Sequence, residues 1–411
     1  MGATLAVDFG TSNTAAAVMA AGRPFVIPLD RGEDTLPTAV FLDFGRRETL
    51  FGHDAVSALI DGREGRFMRA LKSVLGTPLM HERRQFLQER LTLVEIIARF
   101  LAAVKARAEA ACGLSFSAAL SGRPVQFHPD PARDARALQD LREAYLTAGF
   151  ETVDFLPEPE AAALAAGPSE GLGLIVDIGG GTSDFTVFAR EGAETRILAS
   201  HGIRLGGTDF DKALSLNHVM PLLGKDSLIK AELGSQTHPA PAALFNDLAS
   251  WEKIAFLYGG ETTRTVARMA RLAVEPEKFA RLSEVLEMHL GHDVAFAVER
   301  GKIGANRAGG NGRIDLGLVE KGLGISLPES TLASELAGAA QQIAAAAEET
   351  LHQAHVAPDR IDRVICVGGS SLLAPVSGAV RDRLPGAEMV FASAFTAIVD
   401  GLAIAAAAQD I

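Results

Sequence analysis

Two stretches of this chain share one plan, and the distance between them, 169 residues from Asp8 to Asp177, limits what the chain can fold into. Leu5 to Val18 reads LAVDFGTSNTAAAV: an apolar run with Asp8, then Gly10, Thr11, Ser12 and Asn13, then a second apolar run. Gly171 to Phe188 reads GLGLIVDIGGGTSDFTVF: an apolar run with Asp177, the glycines Gly179, Gly180 and Gly181, then Thr182, Ser183, Asp184 and a returning run. Each predicts a strand, a tight turn and a strand coming back. Glycine lets backbone N–H groups approach a ligand with no Cβ in the way, and successive N–H groups in such a turn make an anion-binding concavity. Carboxylates at the strand ends would repel a bare anion. Asp177 and Asp184 therefore point to a polyphosphate bridged by Mg²⁺. A plain hairpin explains three glycines alone equally well, because short glycine motifs also arise by chance. A second copy at this separation predicts two similar domains facing each other, with one nucleotide clamped between two hairpins.

Composition narrows the class further. At 411 residues the chain is long for one core, so two lobes are expected. Lys and Arg number 39 against 51 Asp and Glu, a formal charge of −12, which argues against general affinity for nucleic acid or an anionic membrane. One Trp and two Tyr are too few for a base-stacking platform. Cys112 and Cys366 form no CxxC pair, so a reducing, cytoplasmic setting is expected. Met1-Gly2-Ala3 runs straight into the first strand with no signal-peptide pattern, and no apolar run reaches the length of a membrane span.

Between the two hairpins, apolar periodicity predicts helices over Leu91–Ala111 and Asp134–Ala148. Glu158 stands just before Pro159 at the start of a short helix, where a carboxylate gains from the helix N-terminus. Gly206, Gly207 and Thr208 form another glycine turn able to touch phosphate, with a helix from Asp209. Pro276 is expected to open one long helix to Ala305 with Gly291 inside it; Glu299, Lys302 and Asn306 share a face at i, i+3 and i+7, either as a ligand grip or as a solvated charged face. A buried strand, Ile361–Val367, leads into Gly368, Gly369 and Ser370 at its carboxyl end, where α/β sheets bind ligands. The pairs His289/His292 and His352/His355 have metal-ligand spacing but no third ligand nearby, so packed or solvated histidine is expected.

Five motifs, in order, resemble the seventy-kilodalton heat-shock chaperone family (DnaK and its relatives). They are Asp8–Asn13, Glu158–Ala163, Asp177–Asp184, Leu205–Asp211 and Cys366–Ser371, within a likeness running from about residue 4 to 405. The nearest likeness is to the short, chaperone-like YegD-type members. The resemblance implies an α/β, actin-like ATPase fold, a duplicated ribonuclease H-like architecture with a nucleotide cleft between two lobes. It divides the chain into lobe I, residues 1–170, and lobe II, residues 171–411. Lobe II would contain an inserted subdomain at about 212–310, and a final helix at about 397–409 would pack back toward lobe I.

The resemblance also assigns roles. Gly10, Thr11, Ser12 and Asn13 would cradle phosphates with Gly179, Gly180, Gly181, Thr182 and the Gly206-Gly207-Thr208 turn. Asp8 and Asp177 would hold Mg²⁺ through water. Lys72, a few residues before Gly76, would reach the γ-phosphate, and Asp177, Asp184 or Glu158 would orient the attacking water. Glu299, Lys302 and Asn306, with Gly368, Gly369 and Ser370, would grip the adenosine. The expected function is an ATP-binding, Mg²⁺-dependent ATPase acting as a nucleotide switch on an unidentified protein partner or co-chaperone. The resemblance implies ATP or ADP and Mg²⁺ as ligands, and leaves the oligomeric state open.

Three departures qualify the resemblance. Leu372 stands where the family usually has an arginine stacking on adenine, and Phe395 where an acidic residue is usual. The chain also stops at Ile411 with the family's peptide-binding domain and lid expected to be absent. Alternative readings are a small-molecule kinase on the same fold, which needs an acceptor pocket and a carboxylate base, and an actin-like filament or nucleotide-binding protein with little turnover.

Overall fold

A computed structural model describes residues 3–128, 130–167, 170–192, 194–232, 236–251, 253–307, 309–391 and 396–409. Phe395 lies outside them. Two compact units emerge: Met1–Ile203 with Ala344–Leu372 and Val380–Ile411, and Arg204–Ile343 with Leu373–Ala379.

The first unit contains two main sheets. In one, β1 (Ala3–Phe9) pairs antiparallel with β2 (Asn13–Ala20), which pairs antiparallel with β3 (Arg23–Val26). On its other side β1 pairs in parallel with β4 (Phe116–Arg123), and β4 with β5 (Thr152–Pro157). The second sheet repeats this arrangement strand for strand. Here β6 (Gly171–Ile178) pairs antiparallel with β7 (Ser183–Glu191), and β7 with β8 (Glu194–Ile203). On its parallel side β6 meets β9 (Arg363–Val367), and β9 meets β10 (Glu388–Phe391). The duplicated hairpins of the sequence are thus the centres of two sheets that share one five-strand order, the first adding a short strand, Leu36–Pro37, beside β2.

The burial pattern explains why the central strands read as apolar runs. Residues 5–7 of β1 and 173–176 of β6 are buried on both faces, as parallel neighbours and covering helices require. Helix α1 (Leu93–Cys112) starts at a capping box in which Thr92 and Glu95 each accept the other's backbone N–H, and it ends at Gly113 with φ 66°. Its Ile97, Phe100, Leu101 and Val104 pack with Leu5, Val7 and Phe9 in the largest core. Helix α2 (Pro131–Thr147) adds Ala137, Leu141, Ala144 and Tyr145 to the same core.

Two helices of small residues cover the remaining faces. Helix α3 (Glu158–Ala165) and helix α4 (Ala397–Gln409) cross so closely that a Cβ on Gly401 would fall on the Ala161 carbonyl. Ala161 faces a cluster built on Ala6, Ala15, Leu120 and Leu402, whereas Ala162 and Ala163 face Ile175, Phe188 and Ile365 of the second sheet. One short helix therefore packs against both sheets, and its first residue is Glu158.

In the second unit, the expected helix from Pro276 to Ala305 is two helices, Pro276–Glu287 and Gly291–Ala305. His289 turns the chain with φ 55°, and a Cβ on Gly291 would stand 2.5 Å from Ile254 Cγ2. Gly291 permits a close packing contact, and the chain breaks just before it. The helix expected from Asp209 spans Gly207–Leu214 and continues into one π-helical turn, Ser215–Val219.

Candidate functional site

The first hairpin closes so tightly at Gly10 that a Cβ there would lie 2.3 Å from the Asn13 carbonyl oxygen. Thr11 is exposed, Ser12 and Asn13 are partly so, and the Ser12 carbonyl accepts the Thr38 N–H at 2.9 Å. In the second hairpin the Gly179 N–H donates to the Thr182 carbonyl at 2.9 Å, and Asp177 stands opposite Asp184 across the ladder. Gly179, Gly181, Thr182 and Asp184 lie open to solvent, and Thr182 Oγ1 donates to Asp184 Oδ2 at 3.2 Å. Gly368 follows β9 with φ 80°; a Cβ there would be 2.4 Å from the Ile178 carbonyl oxygen and 3.1 Å from Asp177 Oδ1. Gly369, Ser370 and Leu372 continue it as a short 3-10 turn, with the Leu372 side exposed.

Lys72 joins this group. It sits in the 3-10 turn Leu71–Val74, and its Nζ donates to Glu158 Oε1 at 2.5 Å. Both side chains are largely buried, with 10% and 16% exposure. Gly122 on β4 leaves room for this carboxylate, since a Cβ there would touch Glu158 Cγ at 3.2 Å.

The electrostatics show how these groups crowd one another. Loss of water around Asp8, then the charge of Glu158, pushes its carboxyl up to about 7 against the pull of Lys72. Burial, then Glu158, Asp184 and Asp8, pushes Asp177 up to about 8. Asp184, at the open end, is raised less, to about 6, by partial burial and Glu158. Burial opposes the charge on Lys72, but Glu158, Asp8 and Asp177 outweigh it and hold the ammonium above lysine's usual value. Four carboxylates thus share one ammonium, and with all of them ionised the cluster carries excess negative charge. Among the described residues, no three His, Cys, Asp or Glu side chains converge closely enough to ligate one metal directly. The donor set fits a divalent cation held through its water shell, a mode that Mg²⁺ favours because it dehydrates reluctantly. A cavity of about 360 Å³ opens beside these groups, lined by Glu158, Asp177 and Asp184 together with His201, Phe127 and Ile398.

The other expected residues, Gly206, Gly207, Thr208, Glu299, Lys302 and Asn306, belong to the second unit. Gly206 gives its N–H to Asp209 Oδ2 at 2.9 Å as part of a helix cap. Lys302, largely buried, pairs with Asp211 Oδ1 at 2.8 Å. Burial raises Asp211 to about 6, with Lys302 opposing and Glu299 adding to the rise. Asn306 Oδ1 accepts the Ala374 N–H at 2.7 Å, and Glu299 is exposed on the same helix. Asp211 lay within a recognised motif, but its pairing across the unit gave no sequence signal.

Residues 4–237, more than half of the chain, match the family model described as Hsp70 protein. This chain belongs to the Hsp70 family. Its fold is that family's α/β, actin-like ATPase architecture, here visible as the duplicated five-strand order. A chaperone protein HscA homolog from Burkholderia multivorans is 31% identical over 242 residues, 54% of this chain and 38% of that protein. The chaperone protein DnaK of Thermoplasma acidophilum is 34% identical over 225 residues, 52% of this chain and 35% of that protein. The DnaK of Nitrosopumilus maritimus is 31% identical over 223 residues, covering 52% and 33%. The Hsp70-family chain thus matches 33–38% of the length of these curated relatives. Among its described residues no helix is long and apolar enough to cross a membrane.

Proposed function

We propose that this Hsp70-family chain binds ATP with Mg²⁺, hydrolyses it, and serves as a nucleotide switch for a protein partner. The observation that carries the reading is the Lys72–Glu158 pair, held at 2.5 Å and coupled by charge to Asp8 and Asp177 at the ends of two like hairpins. Phosphoryl transfer requires positioning and charge neutralisation more than covalent chemistry, and this constellation supplies both. Asp8 and Asp177 would hold Mg²⁺ through water, and the ion would neutralise charge on the phosphate oxygens. The exposed turns at Thr11–Ser12 and Gly179–Thr182 offer backbone and hydroxyl donors to the β- and γ-phosphates. Lys72 would swing part of its charge from Glu158 to the transferring group. Glu158, released from that pair, or Asp177 would then orient the attacking water and accept its proton.

Single-turnover hydrolysis of MgATP tests the reading. Lys72→Ala is expected to slow the chemical step by about 100-fold, the usual loss for an electrostatic stabiliser of a transition state. Full hydrolysis in that variant would remove Lys72 from the site. The partner switch is tested by protease protection of the full chain with MgATP against MgADP. Identical digestion patterns would leave a hydrolase without a switch.

The cavity beside Glu158, Asp177 and Asp184 favours one second reading, a small-molecule kinase with its acceptor hydroxyl in that space. ADP production stimulated by a panel of polyols and hydroxy acids, with a phosphorylated product, would favour it over water as the acceptor.

A further inference from the structure

We propose that Asp140, in the middle of helix α2, is a positioning residue for Lys72, fixing the turn that carries it through a buried hydrogen bond to Gly76. The inference rests on the proposed role of Lys72 at a γ-phosphate, and it adds a residue that no motif contains.

The Lys72 turn cannot hold itself. A four-residue 3-10 turn has few internal hydrogen bonds of good geometry, so its orientation depends on the burial of Leu71 and Leu75 in the core and on its two attachments. Upstream, Ala70 lies in the left-handed region at φ 57°, an uncommon conformation for a residue with a Cβ. Ser73 Oγ steadies that end by donating to the Ala70 carbonyl at 2.7 Å. Downstream, the chain is pressed against α2 at Gly76, where φ is 75° and a Cβ would stand 2.4 Å from the Arg133 carbonyl oxygen. At this contact the Gly76 N–H donates to Asp140 Oδ2 at 2.8 Å. The other oxygen, Oδ1, meets His81 Nε2 at 2.8 Å, at the end of the turn Pro78–His81.

One carboxylate, in a residue only 3% exposed, therefore grips both ends of the loop 76–81 that follows the Lys72 turn. Burying a carboxylate is costly unless its lone pairs are used. Here they are spent on a loop, so the group fixes geometry. Lys72 lies four residues before Gly76, and its ammonium must meet a phosphate oxygen within a few tenths of an ångström to act. Misplacing a reacting or stabilising group by about 1 Å costs about 100-fold in rate.

The test uses the full chain and compares Asp140→Ala, Lys72→Ala and the double variant. Calorimetry gives the MgATP and MgADP affinities, and rapid quench gives single-turnover hydrolysis. Asp140→Ala is expected to leave MgADP affinity within about 2-fold and to slow hydrolysis by about 10- to 100-fold. The double variant should be no slower than Lys72→Ala, because residues acting through one contact do not add. Asp140→Asn keeps one acceptor oxygen and should retain an intermediate rate; it also serves as the test if the alanine variant does not fold. Hydrogen exchange in the peptide spanning residues 71–81 should speed up in Asp140→Ala. Effects that multiply in the double variant, or normal hydrolysis despite faster exchange, would overturn the positioning role and leave the ATPase reading standing. A wild-type chain that does not hydrolyse MgATP would overturn that reading, and this one with it.

Discussion

The Arg190 guanidinium, buried on β7, donates through Nη1 to the carbonyl of Ala163 at 2.8 Å and to that of Gly167 at 3.0 Å. A side chain of the second sheet thus caps the carboxyl end of helix α3, where a cation meets the negative end of the helix dipole. The same helix begins at Glu158, and the same strand carries Asp184 near its start. Arg190 links the two.

Arg190→Met is expected to destabilise the protein by about 2–3 kcal/mol, since two carbonyls lose a charged donor and can be left unpaired. Loosening α3 should also shift Glu158 and lower Lys72-dependent hydrolysis. Thermal unfolding checks the first effect, and single-turnover rates measured well below the melting temperature check the second. Wild-type values for both would show that the cap is not needed.

What the sequence disclosed was local. The duplicated hairpins were legible because an acid, a glycine turn and two apolar runs occupy fewer than twenty residues. The capping box at Thr92 and Glu95 and the Gly113 stop are equally local. Asp140 and Arg190 were not legible, because each takes its meaning from a contact 64 or 27 residues away in the chain. Gly291 misled for the same reason. In a helical pattern it looks tolerated, yet it is required by the side chain of Ile254. Lys72 is singled out only by the family likeness, since spacing alone does not distinguish it from a solvated lysine.

The raised carboxyls of Asp8 and Asp177 make the metal-free protein sensitive to pH. Their folded-state values, about 7 and about 8, lie above the value near 3.8 of an unperturbed aspartate, so folding favours their protonated forms. Their stabilising contribution is complete below about pH 4, declines as pH rises from there, and is gone once pH has passed the folded-state values of about 7 and about 8. Asp177→Asn should therefore flatten the fall in melting temperature between about pH 5 and 8. At pH 9 without divalent cations the variant should be more stable than wild type by roughly 1–3 kcal/mol, allowing for partial exposure of the site. A parallel pH dependence in the two proteins would show that Asp177 is already ionised in folded wild type across this range.

Cation binding should release protons from the same pair. At pH 7 Asp177 is mostly protonated and Asp8 about half so. A divalent cation nearby favours the ionised forms and lowers both values. Binding of MgADP at pH 7 is then expected to liberate about one proton, as metal binding to protonated ligands does. Release should vanish near pH 9.5, where both groups are already ionised. Calorimetry in buffers of different ionisation enthalpy measures it. Binding heats that do not depend on buffer at pH 7 would contradict a cation site at Asp8 and Asp177.

Two glycines near β6 should respond to the same substitution in opposite ways. Gly368 has φ 80°, and its Cβ would collide with the Ile178 carbonyl beside Asp177. Gly368→Ala should cost about 1–3 kcal/mol through backbone strain alone. Gly181 is not in the left-handed region, and a Cβ built there meets nothing within 4 Å. Gly181→Ala should therefore melt within about 0.5 kcal/mol of wild type. If phosphates lie on the Gly179–Thr182 turn, the added methyl intrudes on the ligand rather than on the protein. MgATP affinity is then expected to fall about 10-fold or more in Gly181→Ala, the equivalent of roughly 1.4 kcal/mol. Calorimetry beside a melting curve separates the two effects, and unchanged affinity would mean that no phosphate rests on that turn.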